Sequence, residues 1–205
     1  MTIETKSLNI GAIYPFAQTL GPGRRFVIWV QGCLFDCPEC YSPEWRSVEE
    51  KRFVPLPALI EHILRTPGLE GLTLSGGEPM LQAAALSKLI KAVRKKRPLS
   101  LICYTGFTLK QLRHQGCPDR TALIEQIDVL IDGRYAPSLN DNQGLRGSTN
   151  QAIHFLTGIY TDRKAEFISG RRAIQIHLDE EGLLAVGVPP QGFAKDLKRI
   201  LKFVQ

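Results

Sequence analysis

The sequence predicts an α/β fold, an open and partial parallel βα barrel that is followed by a C-terminal β-hairpin and helix. Short runs that are apolar throughout alternate with segments in which apolar residues recur every three or four positions. This alternation is typical of buried parallel strands joined by amphipathic helices. A closed barrel of eight such units takes about 250 residues, and this chain has 205. The length therefore favours an open, partial barrel.

Two parts are expected within one domain, a core over residues 1–156 and a C-terminal segment over residues 157–205 that packs on it. The composition, 43% hydrophobic and 22% charged, is that of an ordinary globular protein. No apolar run is long enough to span a bilayer, and the N-terminus lacks the pattern of a signal peptide, so no membrane partner is expected. Unpaired cysteines fit a reducing compartment, so we expect a cytoplasmic protein.

The first elements are strands. Residues 8–14 predict an edge strand, because Pro15 interrupts the run and proline is confined to edges and bulges of sheets. A Gly-Pro-Gly turn at residues 21–23 then precedes the β-branched and aromatic run 24–31, which predicts the first buried strand.

The middle of the chain predicts βα units. Thr108 and Gln111 have the spacing of a capping box, Gly116 is expected to end that helix, and Asp119 to cap the next one. The remaining predicted elements are helices over 56–64 and 81–93 and strands over 72–75, 99–104, 129–131 and 152–156.

The end of the chain differs in character. Residues 173–178 and 183–188 flank a polar turn that ends in Gly182, which predicts a β-hairpin. A terminal helix is then expected, with one apolar face made of Phe193, Leu197, Ile200, Leu201 and Val204.

Four motifs follow the carboxyl ends of successive predicted strands. They are the cysteine loop (residues 32–41), residues 76–79, residues 105–106 and residues 132–134. Ligands bind at this end of parallel sheets, so we expect the four motifs to surround one opening, here called the mouth. Residues 135–151, rich in Asn, Asp, Gly and Ser, are expected to form an active-site loop beside it, here called the mouth loop.

Three of the five cysteines, Cys33, Cys37 and Cys40, fall within eight residues of the cysteine loop. Thiolates are soft ligands that bind iron–sulfur clusters, zinc or copper(I). Three of them around a four-iron cluster leave one iron open to an external ligand. Two alternatives remain, a zinc site that takes its fourth ligand from Cys103, Cys117 or a histidine, and a redox pair of Cys37 and Cys40. Cys103 and Cys117 are otherwise expected to be structural.

The Cys-x3-Cys-x2-Cys spacing, with Gly76-Gly77-Glu78 one βα unit later, resembles the radical S-adenosylmethionine superfamily. The resemblance implies a partial barrel of the radical SAM type and one 4Fe-4S cluster, with S-adenosylmethionine on its open iron. It also implies reductive cleavage to methionine and a 5′-deoxyadenosyl radical, driven by a low-potential flavodoxin or ferredoxin. Gly76, Gly77 and Glu78 then bind the methionine amino group.

Other cofactor contacts are expected around the mouth. Arg134 is placed against the methionine carboxylate, and Asp132 against an ammonium group or a bound monovalent cation. Tyr41 is expected to replace the aromatic residue that many superfamily members have before the third cysteine, where this chain has Glu39. Thr105 lies in a neighbouring strand-end motif. An ordinary strand-ending turn is an equal interpretation of Asp132 and its following glycine.

A closer resemblance is to the activating proteins of anaerobic ribonucleotide reductases, which take a hydrogen atom from a glycine of a large partner enzyme. It rests on residues 21–24, 31–33, 104–107, 128–133 and 146–151. The resemblance implies a glycyl-radical enzyme as partner, and it places Arg146 and Ser148 at the cofactor mouth. Residues 157–205 are extra to this pattern. A radical enzyme acting on another peptide or a small molecule, and a non-enzymatic iron–sulfur or zinc module, are the alternatives.

The net charge of +6 and the pI of about 9.2 leave room for an acidic partner. The densest basic run, residues 94–97, is predicted at the end of a helix, where cations favour the negative end of the helix dipole. We therefore expect it to be solvated, and we expect no nucleic-acid partner.

Overall fold

The computed structural model describes residues 6–180 and 182–202. Its centre is a seven-stranded sheet in the order β3-β1-β2-β4-β5-β6-β7. Strands β2, β4, β5 and β6 are parallel, whereas β1 and β7 run antiparallel to their neighbours. The strands are β1 Ser7–Ala17, β2 Arg25–Val30, β3 Phe53–Pro55, β4 Gly71–Gly76, β5 Ser100–Thr105, β6 Val129–Asp132 and β7 Ala152–Phe155.

Helices cover one face of the sheet. Side chains alternate along β2, so that Phe26, Ile28 and Val30 join the main core beneath the helices, while Val27 and Trp29 face the other side. The helices are α1 Leu56–Arg65, α2 Ala83–Arg94, α3 Leu109–Gln115, α4 Pro118–Ile124, α5 Lys164–Ile168 and α6 Phe193–Lys202.

The C-terminal segment covers the second face of the sheet. Its hairpin, β8 Ile174–Asp179 and β9 Gly182–Gly187, contributes Val186 to a cluster with Val27 and Trp29. Tyr160 and Phe167 pack in a second cluster with Ile102, Val129 and Ile131. The hairpin prediction is confirmed, and α6 begins at Phe193 as expected, although Val204 of its apolar face lies outside the described residues.

Two strand predictions were wrong. The first strand is not at an edge, because it lies between β3 and β2, and Pro15 falls where the register between Tyr14 and Ala17 is irregular. A missing N–H is tolerated at such a break. The last strand, β7, is antiparallel to β6. No crossover helix lies between them, so the chain turns back at the same end of the sheet.

The capping predictions are partly confirmed. Thr108 and Gln111 form the expected capping box, and Gly116 ends α3 with a φ of 59°. The predicted cap at Asp119 was wrong, because the N-cap of α4 is Cys117 and Pro118 takes the first helical position. Within the described ranges, no helix is both long and apolar enough to cross a membrane.

Candidate functional site

The cysteine loop follows β2 and is tied to a second segment of backbone. The N–H of Gly32 donates to the carbonyl of Trp45 at 2.9 Å, and the N–H of Cys33 donates to that of Arg46, also at 2.9 Å. Trp45 is buried and its ring lies 5.3 Å from that of Trp29. The start of the loop is therefore held by the sheet core through a buried aromatic pair.

Phe35 anchors the middle of this loop to the ends of β5 and β6. Its ring packs edge-on against Phe107 at 4.8 Å, and the Arg134 guanidinium lies 4.6 Å from the ring centroid. A Cβ added to Gly106 would lie 2.4 Å from the Phe35 ring, so the glycine allows this approach. The only sequence signal for this anchor is the aromatic residue between Cys33 and Cys37.

Two of the thiols accept backbone hydrogen bonds. The N–H of Phe35 donates to Cys33 Sγ at 3.4 Å, and the N–H of Ser42 donates to Cys40 Sγ at 3.5 Å. Burial raises the pKa of Cys33 and of Cys40, and these N–H groups oppose the rise. Bound metal replaces the thiol protons.

The donor set fits a four-iron cluster. It consists of three soft thiols on one loop, all partly exposed. Among the described residues, no group of three or more His, Cys, Asp or Glu side chains surrounds one metal position. Cys103, a candidate fourth zinc ligand, is fully buried in the core beneath the helices.

The Gly76-Gly77-Glu78 element lies directly beside the cysteine loop. The N–H of Gly77 donates to Val30 O at 2.7 Å, and that of Glu78 donates to Gly32 O at 2.8 Å. A Cβ on Gly76 would lie 2.4 Å from Val30 N, and one on Gly77 would lie 2.2 Å from Gly32 O. Gly76 also has a φ of 105°, which strains any residue with a side chain. Neither position therefore accommodates a side chain.

The Glu78 carboxylate is engaged within the protein. It is 1% exposed and accepts hydrogen bonds from Met80 N at 2.9 Å, Thr105 Oγ1 at 2.8 Å and Gly106 N at 2.8 Å. Burial raises its pKa, while these donors favour the charged form. Glu78 and Thr105 thus brace the ends of β4 and β5, and a direct contact of either with a cofactor stays a prediction.

Asp132 faces the helix side of the sheet. Its carboxylate accepts a hydrogen bond from Leu109 N at the start of α3, and its Oδ2 lies 2.8 Å from His154 Nε2. The side chain of Asp132 is 5% exposed. The expected contact with an ammonium group or a monovalent cation stays a prediction. The pairing with His154 was not foreseen, because it depends on the antiparallel register of β7.

The mouth loop brings Arg146 and Ser148 together but gives them different surroundings. Arg146 pairs with Asp141 at 3.0 Å. Ser148 is fully buried, and its Oγ accepts from Ala136 N at 3.1 Å. Gln151 braces the same loop by accepting from Gly147 N and Ser148 N and donating to Gly133 O. Ser148 therefore shapes the loop, and its predicted contact with a cofactor has no direct support.

Tyr41 lies against the mouth loop. Its ring centroid is 4.3 Å from that of Tyr135, and its hydroxyl accepts from Asn140 Nδ2 at 2.8 Å. Burial raises the pKa of Tyr41 well above its usual range, so the hydroxyl keeps its proton. Gly147 lies next to both rings, where a Cβ would come within 2.9 Å of Tyr135 and 3.2 Å of Tyr41. An aromatic surface thus stands immediately after Cys40.

Unsatisfied polar atoms cluster near these motifs. Four buried side-chain atoms of the described residues have no hydrogen-bond partner, and three of them belong to Gln31, Arg46 and Arg146, beside the cysteine loop or on the mouth loop. A buried unpaired polar atom costs about 1–3 kcal/mol. A bound polar ligand that supplies partners would recover part of that cost, so the residues present fit a polar cofactor.

Comparison with known proteins gives a consistent set of matches. Residues 19–154 match the family described as a 4Fe-4S single cluster domain. The anaerobic ribonucleoside-triphosphate reductase-activating protein of Vibrio cholerae is 34% identical over 159 residues, which cover 73% of this chain and 99% of that protein. The protein of the same name from Escherichia coli K12 is 30% identical with the same coverage. The crystal structure of QueE from Escherichia coli aligns with 53% of this chain and 59% of that chain, at a TM-score of 0.40 and 16% identity.

Proposed function

Because this chain belongs to the 4Fe-4S single-cluster family and, within the radical S-adenosylmethionine superfamily, to the activating proteins of anaerobic ribonucleotide reductases, we propose that it activates a glycyl-radical enzyme. An anaerobic ribonucleotide reductase is the simplest partner. The curated relatives are matched over almost their whole length. The match therefore spans these relatives as a whole and not a fragment of them.

The main support for the proposal is that the Gly-Gly-Glu element is hydrogen-bonded to the end of β2 and the start of the cysteine loop. Gly77 N bonds to Val30 O, and Glu78 N bonds to Gly32 O, the residue before the first cysteine. A cluster on the three thiols and a ligand on the glycine backbone would consequently be neighbours. Cys33, Cys37 and Cys40 would hold a cluster that supplies one electron for cleavage of the S-adenosylmethionine carbon–sulfur bond to methionine and a 5′-deoxyadenosyl radical, which would take a hydrogen atom from the partner's glycine.

The protein's own residues bind and orient in this proposal. Cys33, Cys37 and Cys40 hold the cluster, and the backbone of Gly76 and Gly77 accepts hydrogen bonds from the methionine amino group. The paired rings of Tyr41 and Tyr135 offer an apolar face to the adenine, in a mouth whose walls exclude water from the radical.

Two arginine side chains near the mouth are the candidates to bind the methionine carboxylate. Arg146 has a buried Nε without a partner among the described residues, which makes it the stronger candidate. Arg134, whose guanidinium lies over Phe35, is the second candidate. A monovalent cation near Asp132 would share a carboxylate that already accepts a hydrogen bond from Leu109 N and contacts His154 Nε2.

The sheet is the scaffold of this site. We interpret the four parallel strands as the open, partial barrel of the superfamily, with the mouth at their carboxyl ends. Reduction needs a donor on the order of −400 mV, the range of plant-type ferredoxins, so a ferredoxin or flavodoxin is the proposed reductant. Such an oxygen-sensitive site belongs in a reducing compartment, for which the cytoplasm is the proposed one.

A small-molecule substrate receives less support. A cavity of about 620 Å³ is lined by residues 21–24 and Glu70, which precede β2 and β4, and it extends to Leu145 of the mouth loop and to Arg172. None of its lining residues belongs to the cysteine loop, which follows the carboxyl end of β2.

The test begins with anaerobic reconstitution of the protein with iron and sulfide, followed by S-adenosylmethionine and dithionite. We expect wild type to form 5′-deoxyadenosine and the Cys37→Ala variant to form none. Wild type that loads iron fully yet forms no 5′-deoxyadenosine would overturn the radical assignment.

The partner is tested separately with an anaerobic ribonucleotide reductase labelled with deuterium at its glycine Cα positions. We expect deuterium in the 5′-deoxyadenosine and a glycyl-radical EPR signal on the reductase. Cleavage of S-adenosylmethionine without deuterium transfer would retain the enzyme class and reject this partner.

A further inference from the structure

Arg172 is a buried cation in the C-terminal segment, between α5 and β8 and outside residues 19–154 that match the family. Its side chain is only 4% exposed. Every nitrogen of its guanidinium donates to an oxygen of another segment, and the carboxylate of Asp141 is 3.8 Å away. The Arg172 side chain is therefore held in position by several hydrogen bonds and not by one ion pair.

Most of these bonds hold the mouth loop. The guanidinium donates to the carbonyls of Gln143 and Gly144 at 3.2 Å, Arg146 at 2.5 Å and Gly147 at 3.4 Å. A planar guanidinium with five donors in a fixed fork matches such a set of carbonyls, whereas an ammonium group does not. The backbone that carries Arg146 and Ser148 is thus folded around one arginine.

The same guanidinium reaches the cysteine loop through one intermediate. Arg172 Nη1 donates to Asn140 Oδ1 at 2.8 Å, and Asn140 Nδ2 donates to the Tyr41 hydroxyl at 2.8 Å. Arginine has no acceptor, so the amide oxygen of Asn140 must face it and the amide nitrogen must face Tyr41. Tyr41 follows Cys40 directly, so the orientation of this tyrosine is linked to the C-terminal segment.

We propose that Arg172 is a positioning residue for S-adenosylmethionine binding, acting through the mouth loop and through Asn140 on Tyr41. The inference rests on the proposed function and adds a role for the C-terminal segment, which lies outside the family match. It makes cofactor affinity in this chain depend on a residue that touches neither the cluster ligands nor the Gly-Gly-Glu element.

The test compares Arg172→Gln with Arg171→Gln. The neighbouring Arg171 is exposed and meets the mouth loop only through a backbone bridge to Gln143, so it is a matched control. The first readout is hydrogen exchange of residues 140–148 in the protein before cluster assembly. We expect faster exchange in Arg172→Gln and no change in Arg171→Gln.

The second readout is S-adenosylmethionine affinity of the cluster-loaded protein by calorimetry. We expect iron content to be unchanged and the Kd to rise about tenfold in Arg172→Gln, equivalent to about 1.4 kcal/mol. Arg172→Lys keeps the positive charge but lacks the planar guanidinium with its five donors, so we expect most of the same loss of affinity. Tyr41→Phe should also weaken binding, and the double variant should lose less than the sum of the two.

The outcomes separate this inference from the proposed function. If wild type forms 5′-deoxyadenosine while Arg172→Gln matches Arg171→Gln in both readouts, the inference fails alone. If Arg172→Gln does not fold, the affinities of Arg172→Lys, Tyr41→Phe and the variant that combines them are measured instead. Strict additivity of those two substitutions would then reject the link between Arg172 and Tyr41.

Discussion

Glu78 is a buried carboxylate that accepts three hydrogen bonds, two from backbone N–H groups and one from a hydroxyl. Its partners Thr105 and Gly106 lie at or just beyond the end of β5, while Glu78 itself follows β4. One side chain therefore fixes the spacing of two strand ends that both face the cysteine loop. Its charge suits the task, because an ionised carboxylate accepts at both oxygens and donates at neither.

We expect Glu78→Gln to destabilise the protein by about 1–3 kcal/mol, because an amide has only one acceptor oxygen and its NH2 must face a donor. The measurement is urea unfolding of the metal-free protein. Glu125→Gln, at an exposed carboxylate, is the control and should leave the midpoint in place. Equal midpoints for the two variants would show that Glu78 does not brace these strands.

Residue roles can be proposed from the sequence where the chemistry is local and not where it depends on distant partners. The soft donors Cys33, Cys37 and Cys40 were proposed as cluster ligands because all three lie on one loop. The expectation that Glu78 binds the methionine amino group came from the resemblance, and nothing in a sequence shows that Gly106 N will point at its carboxylate. Arg172 was missed for the same reason, because an Arg-Arg pair is ordinarily a solvated one.

At the scale of elements, the cysteine loop depends on Phe35 lying against Gly106. A Cβ on Gly106 would lie 2.4 Å from that ring, and the φ of Gly106 is not positive, so alanine tests the contact and not the backbone conformation. We expect Gly106→Ala to displace Phe35, to loosen the cysteine loop and to lower iron and sulfide content after reconstitution.

The comparison is Gly158→Ala, where the nearest atom would be 3.8 Å from the new Cβ and cluster content should be normal. If the clash is the cause, adding Phe35→Leu to Gly106→Ala should restore part of the loss. Full cluster content in Gly106→Ala alone would show that Phe35 does not anchor the loop.

The order and type of the elements were largely predictable, but the direction of the outer strands was not. Four buried apolar runs gave the parallel strands β2, β4, β5 and β6, since each is joined to the next by a helical segment. The direction of β7 depends on where residues 133–151 lead the chain, and a polar loop carries no periodicity that reveals it. The interior position of β1 depends on pairing with β3, three residues long.

At the scale of the whole molecule, the C-terminal segment completes the second face of the sheet. Tyr160 and Phe167 pack on Ile102, Val129 and Ile131. The Tyr160 hydroxyl also accepts from Arg25 Nη1 at 2.8 Å, and Arg25 is fully buried at the start of β2. The sequence showed that a hairpin and helix follow the core, but not which surface they cover, because a length of chain does not specify its packing partner.

This packing makes a prediction about cooperativity. Both tryptophans, Trp29 and Trp45, lie in the core cluster beside β2, whereas Phe167 belongs to the C-terminal segment. If residues 157–205 and the core form one domain, Phe167→Ala should lower the unfolding midpoint reported by tryptophan fluorescence, with a loss of about 3–5 kcal/mol. Leu178→Ala, at a side chain that is 74% exposed, should change it little. A tryptophan transition that stays at the wild-type midpoint in Phe167→Ala would mean that the segment unfolds independently, and that residues 1–156 are stable without it.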